Sequence, residues 1–333
     1  MKEYLYNQLS RVLFILLLLS FFASCASKQL TIIAHRGASG YLPEHTLESA
    51  ALAHSFGVDY IEPDIVLTRD SVPVILHNIH LDQTTNVARL FPRRKRVDGR
   101  YYVIDFTLDE IKKLSAMDSI DPKTQKLSYP PRFPYGKSQF RVPTLVEFIE
   151  LIQGLNKTRG TNIGIYPELK APEFHMSEGK DIAKIVLPVL EKYGYNQASA
   201  NIFLQCFHPP TLRRMREDLG AKMPMVALLA ENSWKESSVD YEYYKSRKGL
   251  EEISQYAQGV GPWLGQLVDK AGKPNGLVKN AHALGLKVHP YTHRSDNLPL
   301  GFKTDQEFFK FLKNSLEVDG IFSDFSDRAK LYR

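Results

Sequence analysis

The sequence predicts an α/β fold of the (β/α)8 TIM-barrel type, with a long insertion after an early strand. Two observations lead to this prediction. Short apolar, β-branched runs alternate with helical patterns along most of the chain, and several of these runs end in histidine or acidic residues. In such a barrel the carboxyl ends of the strands carry functional side chains to one mouth. A length of 333 residues, less a leader, suits one large barrel rather than two domains.

The first predicted strands are the runs 30–34, 59–67 and 72–76. The first run ends at His35, and the third delivers His77. If all three strands point the same way, these side chains meet at the mouth of the barrel.

The second run carries a pair of carboxylates. Side chains alternate between the two faces of a strand, so Glu62 and Asp64 share a face. Burial of two like charges is costly unless a cation or a proton separates them, which predicts a metal site. Pro63 lies between them and donates no ladder hydrogen bond, so we expect the strand to be irregular from Ile61 to Asp64.

Three later runs complete the predicted barrel, at 162–170, 286–294 and 318–324. The first of them places Glu168 and Lys170 on one strand face, which would bring a carboxylate to a metal and an ammonium to a phosphate oxygen. A local pair on the surface is the alternative. Three acidic oxygens without a cysteine ligand indicate a hard divalent cation.

Together these residues suit the cleavage of a phosphate ester. His35 and His77 are candidates for general acid and general base, and Arg36 supplies an anion-binding guanidinium. Each also has an ordinary explanation, because histidines at strand ends are often hydrogen-bonded turn residues and Arg36 can be a loop charge. With a cation between the carboxylates, the set predicts a metal-dependent phosphodiesterase.

Six segments resemble the glycerophosphodiester phosphodiesterase family, and they follow the family's order from about Thr31 to near the C-terminus. The closest similarity is to the periplasmic, calcium-dependent bacterial branch. The segments are Ala34-His35-Arg36-Gly37-Ala38, Leu42-Pro43-Glu44-His45-Thr46, Tyr60-Ile61-Glu62-Pro63-Asp64, Pro73-Val74-Ile75-Leu76-His77, Tyr166-Pro167-Glu168-Leu169-Lys170 and Val288-His289-Pro290-Tyr291.

The resemblance implies three groups of site residues: the catalytic histidines His35 and His77, the metal carboxylates Glu62, Asp64 and Glu168, and the phosphate-binding cations Arg36 and Lys170. Within the first group, His77 is favoured as base and His35 as acid. Calcium is preferred over magnesium as the cofactor.

Two positions within these segments carry an ambiguity. Glu44 matches a family glutamate near the substrate, but Pro43-Glu44 also suits the first turn of a helix reaching about Phe56. Asn78 stands where the family has aspartate after the second histidine, and an amide cannot stabilise an imidazolium by charge. We therefore expect a lower pH optimum or a lower turnover, and recovery in Asn78→Asp.

The activity implied by the resemblance is hydrolysis of glycerophosphodiesters to sn-glycerol 3-phosphate and an alcohol. Attack by the neighbouring glycerol hydroxyl through a cyclic phosphate and direct attack by water both fit the sequence. Two other functions stay open. One is a membrane-tethered binding lipoprotein with a vestigial site; the other is phospholipase D-like activity on lysolipids, which requires an apolar groove at the mouth.

Residues 1–24 have the pattern of a secretory signal, because basic residues precede an apolar run at 12–22 that is too short to span a membrane. The segment Phe22-Ala23-Ser24-Cys25 resembles a bacterial lipoprotein cleavage box. We expect a lipid on Cys25 to tether a single catalytic domain, 25–333, in the periplasm or at the outer membrane. Ordinary cleavage after Ala26 is the alternative.

Composition narrows the classes of partner. Cys206 would be alone in the mature domain, so an internal disulfide is excluded. The net charge of +6 favours anionic ligands or a lipid surface. The basic cluster at 93–96 lacks the interleaved aromatic residues of a nucleic-acid platform, so nucleic acid is not an expected partner. No protein partner is inferred.

The connection from about 78 to 142 is predicted to be an insertion, with one helical pattern at 108–117. Long connections between barrel elements are usually functional. This one resembles the family's insertion and would roof the mouth, or it is a surface excursion. Trp263 is either a stacking platform for substrate or a rim aromatic, and His208 faces the mouth or serves a turn. Helices that cover the barrel are predicted at 144–152, 179–193 and 210–219.

Overall fold

The computed structural model describes residues 29–121 and 123–333. The predicted signal peptide and Cys25 lie outside the described residues. In chain order the strands are β1 (Thr31–Ala34), β2 (Tyr60–Ile61), β3 (Asp64–Leu67), β4 (Pro73–Ile75), β5 (Gly164–Ile165), β6 (Glu168–Leu169), β7 (Leu204–Cys206), β8 (Met225–Leu229), β9 (Gly259–Pro262), β10 (Lys287–Val288) and β11 (Gly320–Ser323).

All of these strands except β4 form a closed parallel barrel, which confirms the predicted fold class. Within the described residues there are eight barrel positions, since β2 with β3 and β5 with β6 each form one interrupted strand. β1 pairs with β11 on one side and with β2 on the other. The ring closes where the chain after β10 meets β11, with the His293 amide donating to the Phe322 carbonyl at 2.8 Å.

The two interruptions have the same cause. β2 and β3 are separated by Pro63, as predicted, and β5 and β6 are separated by Pro167. Proline has no N–H to donate to the ladder, but its carbonyl still accepts a hydrogen bond. The Pro63 carbonyl accepts from the Glu168 amide at 2.9 Å, and the Pro167 carbonyl accepts from the Gln205 amide at 2.9 Å. The strands therefore bend at one level of the barrel and stay paired.

The direction predicted for the strand before His77 is wrong. β4 is not a barrel strand, because it pairs antiparallel with β3, with Ile75 opposite Ile65. Only five residues, 68–72, separate the two strands, and a parallel connection needs a crossover of about a dozen residues or more. The hairpin carries the chain back along β3, so His77 still arrives beside the start of that strand.

Most helices cover the barrel, and side chains cap the N-termini of several of them. Thr46 caps α1 by accepting from the Ser49 amide, and Thr144 and Glu147 form a capping box at α4. The helices are α1 (Leu47–Ser55), α2 (Val87–Leu90), α3 (Leu108–Ile111), α4 (Leu145–Arg159), α5 (Pro172–Ser177), α6 (Ile182–Lys192), α7 (Pro209–Glu217), α8 (Tyr241–Lys245), α9 (Arg247–Ile253), α10 (Leu277–His282), α11 (Asp305–Phe311) and α12 (Ser326–Lys330).

Apolar spacing explains how the helices attach. On α4 the buried residues Leu145, Phe148, Ile149 and Ile152 follow the i, i+3, i+4, i+7 pattern of one helix face. Each such side chain contributes about 1.5–3 kcal/mol when removed from water. Among the described residues, no helix is both long and apolar enough to cross a membrane.

The segment 78–142 has a small core of its own, separate from that of the barrel. The cluster joins strand residues Val66 and Val74 to Leu81, Phe106 and Phe140 of the insertion. The helix predicted at 108–117 is shorter than expected and ends at Ile111. The chain turns at residues 112–114, and Ala116 then bridges to two other segments, at Thr85 and Phe140.

Candidate active site

Three carboxylates meet at the barrel mouth, at the level where the strands bend. Glu62 follows β2, and Asp64 and Glu168 are register partners at the start of β3 and β6. All three are buried, with at most 5% of each residue exposed. One oxygen from each lies within 4.8 Å of the others. The structure thus brings together the three residues predicted to hold a metal.

Burial sets the charges of this cluster. It raises the pKa of Glu62, with the nearby Asp64 charge adding to the rise, and it is also the main reason that the pKa of Glu168 lies above its usual range. Burial acts on Asp64 in the same direction, but His45 and Lys170 outweigh it and hold the Asp64 pKa low. The Asp64 Oδ1 atom has no hydrogen-bond partner among the described residues. A cation is the missing partner that this arrangement suits.

The loop after β1 wraps around these carboxylates. Arg36 and His45 both lie in the left-handed region of backbone space, with φ of 58° and 62°, which costs about 1–3 kcal/mol for each such residue. In return the Arg36 amide donates to Glu62 Oε2 at 2.7 Å. The His45 Nε2 atom lies 2.7 Å from Asp64 Oδ2, and Arg36 Nε lies 3.5 Å from the same oxygen.

Glu44 does not lie in the first turn of a helix. α1 begins at Leu47 with Thr46 as its N-cap, because the threonine hydroxyl fills the capping position. Glu44 instead accepts a hydrogen bond from Arg36 Nη1 at 2.9 Å. It therefore orients the guanidinium, and its predicted contact with substrate stays a prediction.

His35 is held by a carboxylate that the sequence reasoning missed. Its Nδ1 atom lies 2.6 Å from Asp324 Oδ1, just after β11. The other Asp324 oxygen accepts from Arg132 Nη2 at 2.8 Å and from Arg294 Nε at 2.9 Å. Burial, followed by the charge of Arg36, lowers the pKa of His35 to about 4, although Asp324 opposes this shift. Asp324 thereby favours a proton on Nδ1 and leaves Nε2 for a reacting group.

His77 reaches the same cavity from the other side. The Leu76 amide donates to the Asp64 carbonyl at 3.0 Å, which places the next residue beside the acidic cluster. Burial lowers the pKa of His77, and the charges of Arg36 and Lys170 lower it further. Its ring has no hydrogen-bond partner among the described residues, so both nitrogens can contact a ligand.

Asn78, the residue after His77, bonds to the insertion and not to His77. The Asn78 side-chain amide donates to Gln83 Oε1 of the insertion at 2.5 Å. We expect Asn78→Asp to place a negative charge beside His77, raise its pKa and increase turnover by up to about 10-fold. The kcat measured against pH checks this, with Asn78→Ala as the control. If the kinetics of Asn78→Asp match those of the wild type, the aspartate of the family has no charge effect on this histidine.

Lys170 forms ion pairs with Glu168 of the acidic cluster and with Glu236. Its buried ammonium lies 2.8 Å from Glu168 Oε1 and 3.2 Å from Glu236 Oε1. Burial disfavours the charged form, but these two acids raise the pKa of Lys170 above its usual range. In the structure Lys170 fixes Glu168 in place, and its predicted contact with phosphate stays a prediction.

The cavity that joins these groups has a volume of about 240 Å³. Trp234 and Trp263 form part of its wall, with ring centroids 5.4 Å apart. His208 is not in this lining and bonds Thr211 at the start of α7, which supports its role in a turn. The lining residues are His35, Arg36, Glu62, Asp64, His77, Glu168, Gln205, Phe207, Leu228, Trp234, Trp263, Tyr291, Thr292, Arg294 and Phe322.

None of these lining residues belongs to the insertion 78–142. The expected roof over the mouth is therefore not part of the cavity wall in the described structure. The aromatic residues that follow β7, β8 and β9 form one side of the wall instead, and the insertion reaches the site through Arg132.

Two further site residues were missed by the sequence reasoning. His45 lies inside a quoted family segment, and its position beside a predicted capping residue was the available signal. Gln205 lies within β7, and its amide is 3.4 Å from Glu62 Oε1. A glutamine in an apolar strand that faces a buried carboxylate was the signal there.

Comparisons with known proteins agree with this geometry. The model of the Glycerophosphoryl diester phosphodiesterase family matches residues 35–328. A glycerophosphodiester phosphodiesterase of Haemophilus influenzae is 44% identical over 89% of this chain and 87% of its own. Another, from Treponema pallidum, is 36% identical over 92% of each chain.

Solved structures show the same fold. A putative glycerophosphoryl diester phosphodiesterase from Silicibacter pomeroyi superposes with a TM-score of 0.69, at 23% identity, over 92% of this chain and 93% of that one. An Oleispira antarctica phosphodiesterase superposes with a TM-score of 0.61, at 23% identity, over 91% and 96% of the two chains. With the family match across nearly the whole barrel, these findings confirm the resemblance: the chain belongs to the glycerophosphodiester phosphodiesterase family.

Proposed function

We propose that the protein hydrolyses glycerophosphodiesters to sn-glycerol 3-phosphate and an alcohol, with one divalent cation held by Glu62, Asp64 and Glu168. The observation that carries the proposal is the convergence of these buried carboxylates with His35 and His77 on one cavity. The structure of the Oleispira antarctica phosphodiesterase, solved in complex with the product sn-glycerol-3-phosphate, supports it.

The donor set suits a hard cation. All three groups offer carboxylate oxygens, and the lone Asp64 Oδ1 is aimed at no protein donor among the described residues. Calcium is the proposed ion because its flexible coordination tolerates ligands from separate strands better than the near-octahedral coordination of magnesium. When bound, the cation would neutralise charge on the non-bridging phosphate oxygens and acidify a nearby hydroxyl.

His77 and His35 each carry out one of the two proton transfers of each step. Either the neighbouring glycerol hydroxyl or a water forms the new bond to phosphorus, and His77 takes the proton from that oxygen. The bond between phosphorus and the alcohol oxygen breaks as His35, an imidazolium stabilised by Asp324, gives its Nε2 proton to the leaving oxygen. On the hydroxyl route, a water then attacks the cyclic phosphate, His35 takes the proton of that water, and His77 returns its proton to the departing glycerol oxygen. Arg36 lies against the carboxylates and contributes positive charge where the anionic ester docks.

The aromatic wall gives a reason to test a second substrate class. Phe207, Trp234, Trp263 and Tyr291 line one side of the cavity, and both tryptophans are more than 40% exposed. An apolar surface of this kind is what a phospholipase D-like activity on lysolipids requires. A binding lipoprotein with a vestigial site is less well supported, because the residues proposed for catalysis and metal binding all line one cavity.

A release assay tests the proposal. We expect the purified protein to release sn-glycerol 3-phosphate from glycerophosphocholine when calcium is present and to lose that activity in EDTA. Glycerophosphoethanolamine, glycerophosphoglycerol and a lysophosphatidylcholine serve as parallel substrates, with magnesium in place of calcium as a further arm. Full activity in EDTA would contradict the proposed dependence on a divalent cation. Cleavage of the lysolipid but of no glycerophosphodiester would contradict the proposed substrate class.

We also propose that Cys25 anchors the protein to a membrane facing the periplasm. The basic residues before the apolar run at 12–22 and the small residues before Cys25 support this. Two acyl signals give stable anchoring, whereas one chain binds only reversibly. Expressed from its full gene, the protein should fractionate with membranes and carry an acylated N-terminal peptide in mass spectrometry, and Cys25→Ala should release it. An unmodified N-terminus after Ala26 would refute the anchor.

A further inference from the structure

One arginine of the insertion is buried although the segment around it is exposed. Arg132 has 5% of its side chain accessible, while Pro131 and Pro134 on either side are exposed. A charged side chain is rarely buried unless its partners compensate the loss of water. The contacts of Arg132 therefore indicate why this part of the insertion lies against the barrel mouth.

Arg132 joins four parts of the chain. Its Nη2 donates to Asp324 Oδ2 at 2.8 Å, after β11, and its Nε donates to Asp296 Oδ2 at 2.9 Å, in the loop after β10. Its Nη1 reaches the Ser39 carbonyl at 3.4 Å, in the loop after β1. The Tyr129 ring packs on the guanidinium, with its centroid 3.7 Å from Cζ. A planar, forked cation is suited to such a junction.

Asp324 connects this junction to catalysis. One of its oxygens contacts His35 Nδ1 and the other accepts from Arg132 and Arg294. A carboxylate fixed on both sides holds an imidazole in one orientation and one tautomer, which is how outer partners orient histidines in other sites. We propose that Arg132 is a positioning residue, supplied by the insertion, that fixes His35 through Asp324.

This inference rests on the proposed function and adds a role for the insertion. The segment 78–142 would act on catalysis from outside the cavity, by holding the second partner of a catalytic histidine. Loss of Arg132 would leave Arg294 as the one side-chain donor to Asp324 Oδ2 among the described residues, so the carboxylate that contacts His35 would be held less firmly. His35 would then spend less time in the productive orientation, which lowers kcat and leaves substrate binding almost unchanged.

The chain contains a closely matched control. Arg96 lies in the same insertion, contacts two carboxylates, Asp105 and Glu178, and stacks on an aromatic ring at 4.2 Å. It does not line the cavity, and neither do its partners. Arg96→Gln thus removes similar contacts from the insertion, at an arginine side chain that is 32% rather than 5% exposed, and leaves intact the residues that connect Arg132 to His35.

The experiment compares Arg132→Gln, Asp324→Asn, the double variant and Arg96→Gln, each assayed on glycerophosphocholine well below its melting temperature. We expect Arg132→Gln to lower kcat about 10-fold, the lower end for loss of an outer partner, with KM within about twofold of the wild type. Arg96→Gln should keep both constants. Because Arg132 acts through Asp324, the double variant should be no slower than Asp324→Asn.

A kcat for Arg132→Gln equal to that of Arg96→Gln would overturn the inference, and so would full additivity in the double variant. Histidine ¹⁵N NMR supplies a readout that needs no turnover. The His35 signals, assigned by their loss in His35→Gln, should shift in Arg132→Gln and stay unchanged in Arg96→Gln. If the wild type fails to cleave the ester, the proposed function is wrong, and the NMR result alone decides whether Arg132 positions His35.

Discussion

Replacing Glu62 by glutamine is expected to slow hydrolysis severely and to stabilise the cation-free protein. A bound divalent ion contributes several kcal/mol of transition-state stabilisation, so removal of one ligand charge should lower kcat by about 10³-fold. Without the ion, however, Glu62 is a buried carboxylate next to Asp64. Burial and the charge of Asp64 both disfavour the charged form of Glu62. Glutamine keeps the shape and removes the repulsion. Catalytic function and stability thus oppose each other at this residue.

The sign of the pH dependence follows from the raised pKa of Glu62. Between the ordinary value of 4.5 and its raised folded-state value, the folded protein binds more protons than the unfolded chain. The free energy of unfolding of the cation-free wild type therefore increases as pH falls through that range and decreases as pH rises. In Glu62→Gln this contribution is absent, so the free energy of unfolding should depend less on pH above 4.5 than it does in the wild type.

Thermal unfolding with chelator and with calcium measures both effects. We expect Glu62→Gln to melt at least about 2 °C above the wild type in EDTA at pH 8, and to lose most of the rise in Tm that calcium gives the wild type. Glu178→Gln, which removes a surface carboxylate paired with Arg96, is the matched control. A variant that melts below the wild type in EDTA, or that keeps the calcium-dependent rise, would contradict the assignment of Glu62 as a ligand.

The acidic cluster was predictable because its determinants are local. Glu62 and Asp64 are two residues apart on one strand, so the alternation of side chains places them together whatever the rest of the chain does. Their partner Glu168 required only that two parallel strands be neighbours. The interruption of the strand at Pro63 was also predictable, because proline has no N–H to donate to the hydrogen-bond ladder.

The residues that could not be predicted act through tertiary contacts. Asp324 is 289 positions from His35, and Arg132 is 192 positions from Asp324, so no spacing rule connects them. The wrong strand direction before His77 is a different case. The five-residue connection after Leu67 is too short for a parallel crossover and requires an antiparallel return, a constraint that the barrel pattern alone does not contain.

The two histidines proposed as acid and base, His35 and His77, should respond differently to the quality of the leaving group. His77→Gln and His35→Gln are each expected to lower kcat on glycerophosphocholine by about 10²–10⁴-fold, the range for loss of general acid or base catalysis. The alcohol of this substrate is a poor leaving group that needs a proton. The p-nitrophenyl ester of glycerol 3-phosphate instead releases p-nitrophenolate, a stable anion that can leave without a proton.

If His35 is the acid, His35→Gln should recover most of its activity on the p-nitrophenyl ester, whereas His77→Gln should stay impaired because the attacking oxygen still has to lose its proton. His208→Gln is the control, since this histidine bonds Thr211 outside the cavity and should leave both rates unchanged. Recovery of His77→Gln in place of His35→Gln would exchange the two roles. That exchange is physically reasonable, because Asp324 stabilises an imidazolium at His35 whether the proton is about to leave or has just arrived.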